Sequence, residues 1–272
     1  MMRSRLVFGV LIPLAVGVPA MAAAINYTDT FDTYATGTDD AAYQANWSVP
    51  AEHSRFSIIT PAAPASTPPA HAAGNALSQV AGTALGIVNN LADGVELPIG
   101  AYVVPTAESP LKVGIWWNPA NTTGRQTNNF ILELCLGDSP KVGLSNSRVV
   151  GDGNNNPYYF NGTTWSRQSA AGVFKSQGWS EVYLTLTPAV VSGYDVTLTL
   201  LGNAAPTATT ISVGTISYTG GFDTLRIRSL AAATTASWID EVYLVGGNIV
   251  PEPASLALMG IGGLLLRRRR AA

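Results

Sequence analysis

The chain has 272 residues, a formal charge of −2, 12% charged and 47% hydrophobic residues, and a single cysteine. One cysteine excludes an intrachain disulfide framework, and near-neutral charge excludes the basic field that nucleic acid requires. So hydrophobic and charge-poor a composition excludes a disordered chain, and the length suits one large all-β domain that buries its own core.

At the N-terminus, Arg3 and Arg5 precede an apolar run over residues 6–21 that closes in Ala20, Met21, Ala22, Ala23 and Ala24. A positive start, an apolar stretch and an A-x-A site predict a secretory signal peptide over residues 1–24, cleaved after Ala22 or Ala24. Export through the Sec pathway follows.

The body, residues 25–247, shows no sustained helical period. Short β-branched and aromatic runs recur between Gly, Pro, Asn and Asp clusters, at 56–60, 111–117, 130–136, 181–187, 195–201, 210–218, 224–229 and 237–245. Several alternate strictly, as in Val182-Tyr183-Leu184-Thr185-Leu186 and Val196-Thr197-Leu198-Thr199-Leu200, which marks strands with one buried face. Many short strands with turns between them predict a β-sandwich or barrel. The proline-rich stretch 61–69 reads as a surface loop inside this domain, because too little chain precedes it to form another.

Few groupings could carry chemistry. His53, His71 and Cys135 form no metal-ligand spacing, and there is no P-loop, nucleophile elbow or H-E-x-x-H. Glu133 and Glu181 are lone acids in apolar strands, and the adjacent Asp240 and Glu241 should face opposite sides, so no acid pair suited to glycoside hydrolysis is evident. The chain is therefore read as non-catalytic. Asp152-Gly153-Asn154-Asn155-Asn156 starts like a calcium loop, but Pro157 and Thr163 stand where Gly and Glu are needed, so it reads as a polar turn. Aromatic residues are the remaining handle for a carbohydrate, which binds by stacking on exposed rings beside hydrogen-bonding groups. The candidates are Tyr158, Tyr159 and Trp165, and Trp117, one of two neighbouring tryptophans of which one should face the core and one outward.

At the C-terminus, Val250, Pro251, Glu252 and Pro253 precede apolar residues 254–266 and then Arg267, Arg268, Arg269 and Arg270. Thirteen apolar residues span about 20 Å as a helix, short of a hydrocarbon core of about 30 Å, so the expected transmembrane helix is a marginal anchor. The arginines place its end on the cytoplasmic side and leave the body outside. Between residues 25 and 248 nine basic residues stand against sixteen acidic ones, a net charge of −7, so the exported part is a moderately acidic domain.

Two resemblances follow. The triplet, short helix and arginine cluster of residues 248–272 resemble the PEP-CTERM sorting signal of Gram-negative bacteria. That implies processing by exosortase, transient inner-membrane anchoring, and delivery to the cell surface or an exopolysaccharide matrix. The body, with Thr30-Phe31-Asp32-Thr33-Tyr34-Ala35-Thr36-Gly37-Thr38 and Trp47 near its start and Trp238-Ile239-Asp240-Glu241-Val242-Tyr243-Leu244 near its end, resembles first and last strands of concanavalin A-like or laminin-G-type jelly rolls. A galactose-binding-like jelly roll is the alternative. The jelly-roll resemblance implies that the terminal strands lie side by side and that a structural calcium sits among Asp29 or Asp32 and Asp240 or Glu241. Three functions remain in view: a matrix protein that binds exopolysaccharide or another glycan, a purely structural matrix component, and a polysaccharide-acting hydrolase or lyase.

Overall fold

The structure, a computed structural model, describes residues 23–36, 41–48, 56–59, 76–79, 94–118, 129–146, 156–174, 178–202, 207–230 and 237–250. Fourteen strands are present there: β1 (Ala24–Asp29), β2 (Phe56–Ile59), β3 (Ala76–Gln79), β4 (Gly94–Val104), β5 (Leu111–Asn118), β6 (Asn129–Leu136), β7 (Ser139–Ser145), β8 (Tyr158–Phe160), β9 (Trp165–Arg167), β10 (Ser180–Pro188), β11 (Tyr194–Leu201), β12 (Thr209–Ile216), β13 (Phe222–Leu230) and β14 (Ser237–Val250). A short helix, α1 (Ala41–Asn46), lies between β1 and β2.

Every pairing is antiparallel. One run follows the order β12-β11-β10-β5-β14 and is extended beyond β14 by β1 and by β3 with β2, while the other follows β4-β13-β6-β7-β8-β9. β14 joins them, pairing with β5 as far as Val245 and with β4 from Asn248 to Val250. The result is one curled sheet closed over its own apolar face, a jelly-roll β-sandwich.

Alternation decides which side chains go inside. Val113, Ile115 and Trp117 of β5, Val182, Leu184 and Leu186 of β10, and Val196, Leu198 and Leu200 of β11 meet Leu132 and Leu134 of β6 and Leu225 and Ile227 of β13 in one core. Fully burying such an aliphatic side chain stabilises by about 1.5–3 kcal/mol, so the period-two pattern is also the main source of stability.

The expected strands all form. β4 goes unrecognised in the sequence because Pro98 and Gly100 interrupt it, and the fold absorbs them in a register shift against β13. β1 pairs with β14 from Ala24 opposite Asn248 to Asp29 opposite Val242, which places the terminal strands side by side as expected. The T-F-D-x-Y stretch, however, is not the first strand. It forms a turn after β1, with Phe31 at φ +59°, and Phe31, Tyr34, Tyr43 and Trp47 plug the end of the core. β14 also runs three residues past the anticipated end of the body at residue 247.

Candidate functional site

Asp29 organises the aromatic plug. Its carboxylate accepts hydrogen bonds from the Phe31 N–H (2.8 Å), the Tyr34 hydroxyl (2.6 Å), Trp47 Nε1 (2.8 Å) and the Tyr27 hydroxyl (3.0 Å). Four donors converge where a cation would need acceptors. Asp29 lies opposite core residue Val242, whereas Asp240 lies opposite Trp116 on the outer face. Asp32 is exposed in the turn, and Glu241, at φ +46°, occupies a bulge in β14, where Asp240 Oδ1 accepts its N–H at 2.7 Å. The expected calcium residues are thus not brought together, because inward and outward positions of paired strands separate them. Among the described residues no group of three or more His, Cys, Asp or Glu could hold a metal.

The expected sugar-stacking residues are divided in the same way. Trp117 is 0% exposed and packs edge-on against Phe174, and Tyr159 is 2% exposed in the same core, so both rings are closed to a ligand. Tyr158 is buried as well. Trp165 is half-buried, with its ring centroid 5.1 Å from that of Phe160. Asn156, from the Asn-rich loop, accepts from Arg167 Nε at 2.8 Å and donates to the Gly172 carbonyl at 2.9 Å, which are structural tasks.

Trp165 lies at the end of a row that crosses the second run of strands: Glu96, Arg226, Glu133, Gly143, Phe160 and Trp165 are successive partners on β4, β13, β6, β7, β8 and β9. Arg226 Nε meets Glu96 at 2.6 Å, and Glu133 also takes the guanidinium of Arg228, with a 2.9 Å bond from its Nε. Gly143 permits this, since a Cβ there would lie 3.2 Å from Glu133 Cγ and 3.3 Å from the Trp165 ring. Glu133 and Arg226 are only 1% and 3% exposed. Buried charges that satisfy one another are a structural network first, and they leave little for a ligand.

The outer face of the first run is more open. Glu181, Tyr183 and Thr185 of β10 alternate with core residues and lie opposite Trp116, Gly114 and Lys112 of β5, which in turn face Asp240, Tyr243 and Val245 of β14. Lys112 Nζ sits 3.7 Å from the Tyr183 ring centroid and 4.9 Å from that of Tyr243. The Tyr243 hydroxyl donates to Glu181 Oε1 at 2.8 Å. Gly114 makes the arrangement fit, because a Cβ there would come within 2.5 Å of both the Tyr183 Cβ and the Tyr243 hydroxyl. Burial, and next the Glu181 carboxylate, push the Tyr243 pKa far above its ordinary value, so the group stays a hydrogen-bond donor. Trp116 continues the face into a tryptophan corner with Trp179 and Trp238. Lys112, Glu181, Tyr183 and Trp238 are all partly exposed.

Sequence reasoning singled out Trp117 and passed over this row. Strand parity could have found part of it, since Trp116 and Lys112 share the face opposite Trp117, and Glu181, Tyr183 and Thr185 share one face of β10. The contribution of Tyr243 was hidden by the bulge at Glu241, which shifts the phase of β14.

The fold is that of a jelly-roll β-sandwich, and solved structures align with it at low identity. The alginate lyase Aly36B, determined with an alginate tetrasaccharide, aligns at a TM-score of 0.50 and 9% identity over 85% of this chain and 100% of that one. A protein of unknown function from Shewanella oneidensis MR-1 aligns at a TM-score of 0.43 and 11% identity, covering 89% of this chain and 97% of its own. The CBM2 module of an evolved Dit protein of Lactobacillus casei BL23 phage J-1 aligns at 0.39 and 12%, covering 86% and 100%. The similarity to the alginate lyase describes the fold alone. No curated protein sequence matches the chain. Residues 250–270 match the PEP-CTERM protein-sorting motif, and the chain carries that signal. Of the motif, Val250 ends β14, while Pro251, Glu252, Pro253 and Arg267, Arg268, Arg269 and Arg270 lie outside the described residues, as does the expected membrane helix at 254–266. No described helix is long and apolar enough to cross a membrane.

Proposed function

We propose that the protein is a non-catalytic, glycan-binding component of the cell surface or exopolysaccharide matrix, exported through the Sec pathway, anchored transiently in the inner membrane and released to its destination by exosortase. The sorting motif supports the address. The observation that carries the binding function is the outer-face row in which the partly exposed Lys112, Tyr183 and Glu181 surround the buried Tyr243, with the partly exposed Trp238 at the edge of the buried Trp116 and Trp179. It supplies the Tyr183 and Trp238 rings for the apolar side of a sugar, with the ammonium of Lys112 and the carboxylate of Glu181 for its hydroxyls. Core packing explains none of the charged members, since they project from the sheet away from the core.

Retention on crude exopolysaccharide tests the reading. Lys112→Ala and Tyr183→Ala should each weaken binding about tenfold, or roughly 1.4 kcal/mol, while Trp165→Ala should leave it unchanged. Loss with Trp165→Ala alone would move the site to the other face, and retention by every variant would leave only a structural matrix role. The alginate lyase scaffold takes an oligosaccharide, so an enzyme is the reading to exclude. Formation of unsaturated uronate ends or of new reducing ends from the same material would replace the binding function with a lyase or a hydrolase.

A further inference from the structure

The sorting motif begins on a residue that is still part of the sheet. Asn248, Ile249 and Val250 pair with Val104, Val103 and Tyr102 of β4, and the motif match starts at Val250. No spacer separates the last paired residue from Pro251. On its other side the same segment is held by the chain start, where Ile249 N donates to the Ala23 carbonyl at 2.9 Å and Ala24 lies opposite Asn248. Immediately before it stand Gly246 and Gly247, at φ +88° and +63°, where β14 leaves β5 for β4. A Cβ on Gly246 would collide with the Pro110 carbonyl oxygen, and Gly247 N donates to the Ser109 carbonyl at 3.0 Å. The segment is therefore a short strand end, clamped on both sides and attached through a two-glycine pivot.

A protease draws substrate into its cleft as an extended chain, and residues engaged in a sheet are withheld from it until they open locally. Resting on the reading that exosortase processes this motif, we propose that residues 248–250 form a latch that must peel from β4 about Gly246 and Gly247 before the sorting signal is cut. The rate of maturation then follows the population of the peeled state, as it does for other substrates whose opening is fast compared with cleavage. The start of the chain belongs to the same latch. Signal removal after Ala22 keeps the Ala23 carbonyl that holds Ile249, whereas removal after Ala24 deletes it together with the Ala24–Asn248 pair. The point of signal removal therefore sets how firmly the latch is held.

The test is a pulse–chase of the full chain expressed with an exosortase, following precursor and mature forms. Asn248→Cys combined with Val104→Cys introduces a cross-strand disulfide in an oxidising compartment, because directly paired residues in antiparallel strands meet its geometric requirement. Maturation should slow roughly tenfold and recover with reductant, since only the open state is cut, and each single variant should mature normally. An insert of about eight Gly and Ser residues between Val250 and Pro251 leaves the paired residues intact, and it should speed maturation and abolish the effect of the disulfide. Equal rates in the wild type, the disulfide form and the insert would overturn the latch while leaving exosortase processing intact. A control with Pro251→Ala and Glu252→Ala tests processing itself, because maturation that persists there does not use the motif. N-terminal sequencing that begins at Ile25 would remove the chain start from the latch, whereas a start at Ala23 keeps it there.

Discussion

Replacing Asp29 with alanine tests whether this carboxylate is the hub of the aromatic plug or part of a metal site. The substitution removes the carboxylate that accepts from the Phe31 N–H, the Tyr34 hydroxyl and Trp47 Nε1, all on buried residues, and from the half-buried Tyr27 hydroxyl, which water can reach. A buried donor left without its partner costs about 1–3 kcal/mol, so the three buried donors together imply a loss of about 3–9 kcal/mol. Tyr34 keeps a contact with Asn46 Nδ2 at 3.1 Å, in which its oxygen is the acceptor. Against a total stability of about 5–15 kcal/mol the variant should be close to unfolded at room temperature. Asp29→Asn keeps one acceptor but turns an NH2 group toward these donors, and should fall between the two. The assay is urea unfolding followed by tryptophan fluorescence, with calcium and with EDTA. A loss below about 1 kcal/mol for Asp29→Ala would refute the hub. A midpoint that moves with calcium in the wild type but not in the variant would restore the expected metal site.

Other outcomes follow from the buried and the open faces. Glu133→Ala takes from Arg228 and the buried Arg226 their shared partner, while Arg226 keeps Glu96 and Arg228 reaches solvent, and should lower stability by about 1–3 kcal/mol in the same assay. Burial pushes the Tyr194 hydroxyl up to about 12 from 10.0, and the hydroxyls of Tyr27, Tyr43, Tyr159 and Tyr243 are raised further. Because the folded state favours the protonated form, this stability is complete below pH 10 and is lost as the pH rises toward 12. Every tenfold difference in proton affinity between the folded and unfolded chain is worth about 1.4 kcal/mol per hydroxyl, and circular dichroism through that window should show cooperative alkaline unfolding. Burial likewise pushes the Cys135 thiol up to about 12, so a thiol reagent at pH 8 should label the chain in urea and leave the folded protein unlabelled. Gly114→Ala should displace the Tyr243 ring from Glu181 and weaken glycan retention about tenfold while the chain stays folded, a change of roughly 1.4 kcal/mol.

The sequence by itself determined the address and the class of fold. The PEP triplet with its arginine cluster is a local signal, and alternation in β10 and β11 requires no knowledge of neighbours, because a side chain's face along a strand depends only on parity. The same parity showed that one of Trp116 and Trp117 must be core. It did not say which, since that depends on the sheet against which β5 packs.

Everything that required two strands to meet was decided by tertiary structure. Glu133 looked like a stray acid in an apolar run until register placed it between Arg226 and the Gly143 that makes room for it. Asp29 and Asp240 looked like a shared metal site because their strands are neighbours, yet their side chains leave the sheet in opposite directions. Tyr243 joins Lys112, Tyr183 and Glu181 only because the bulge at Glu241 resets the phase of β14. Gly246 and Gly247, next to the expected end of the body at 247, are the crossing point between two runs of strands. In each case the deciding quantity is inter-strand register together with bulges, and these are set by long-range packing.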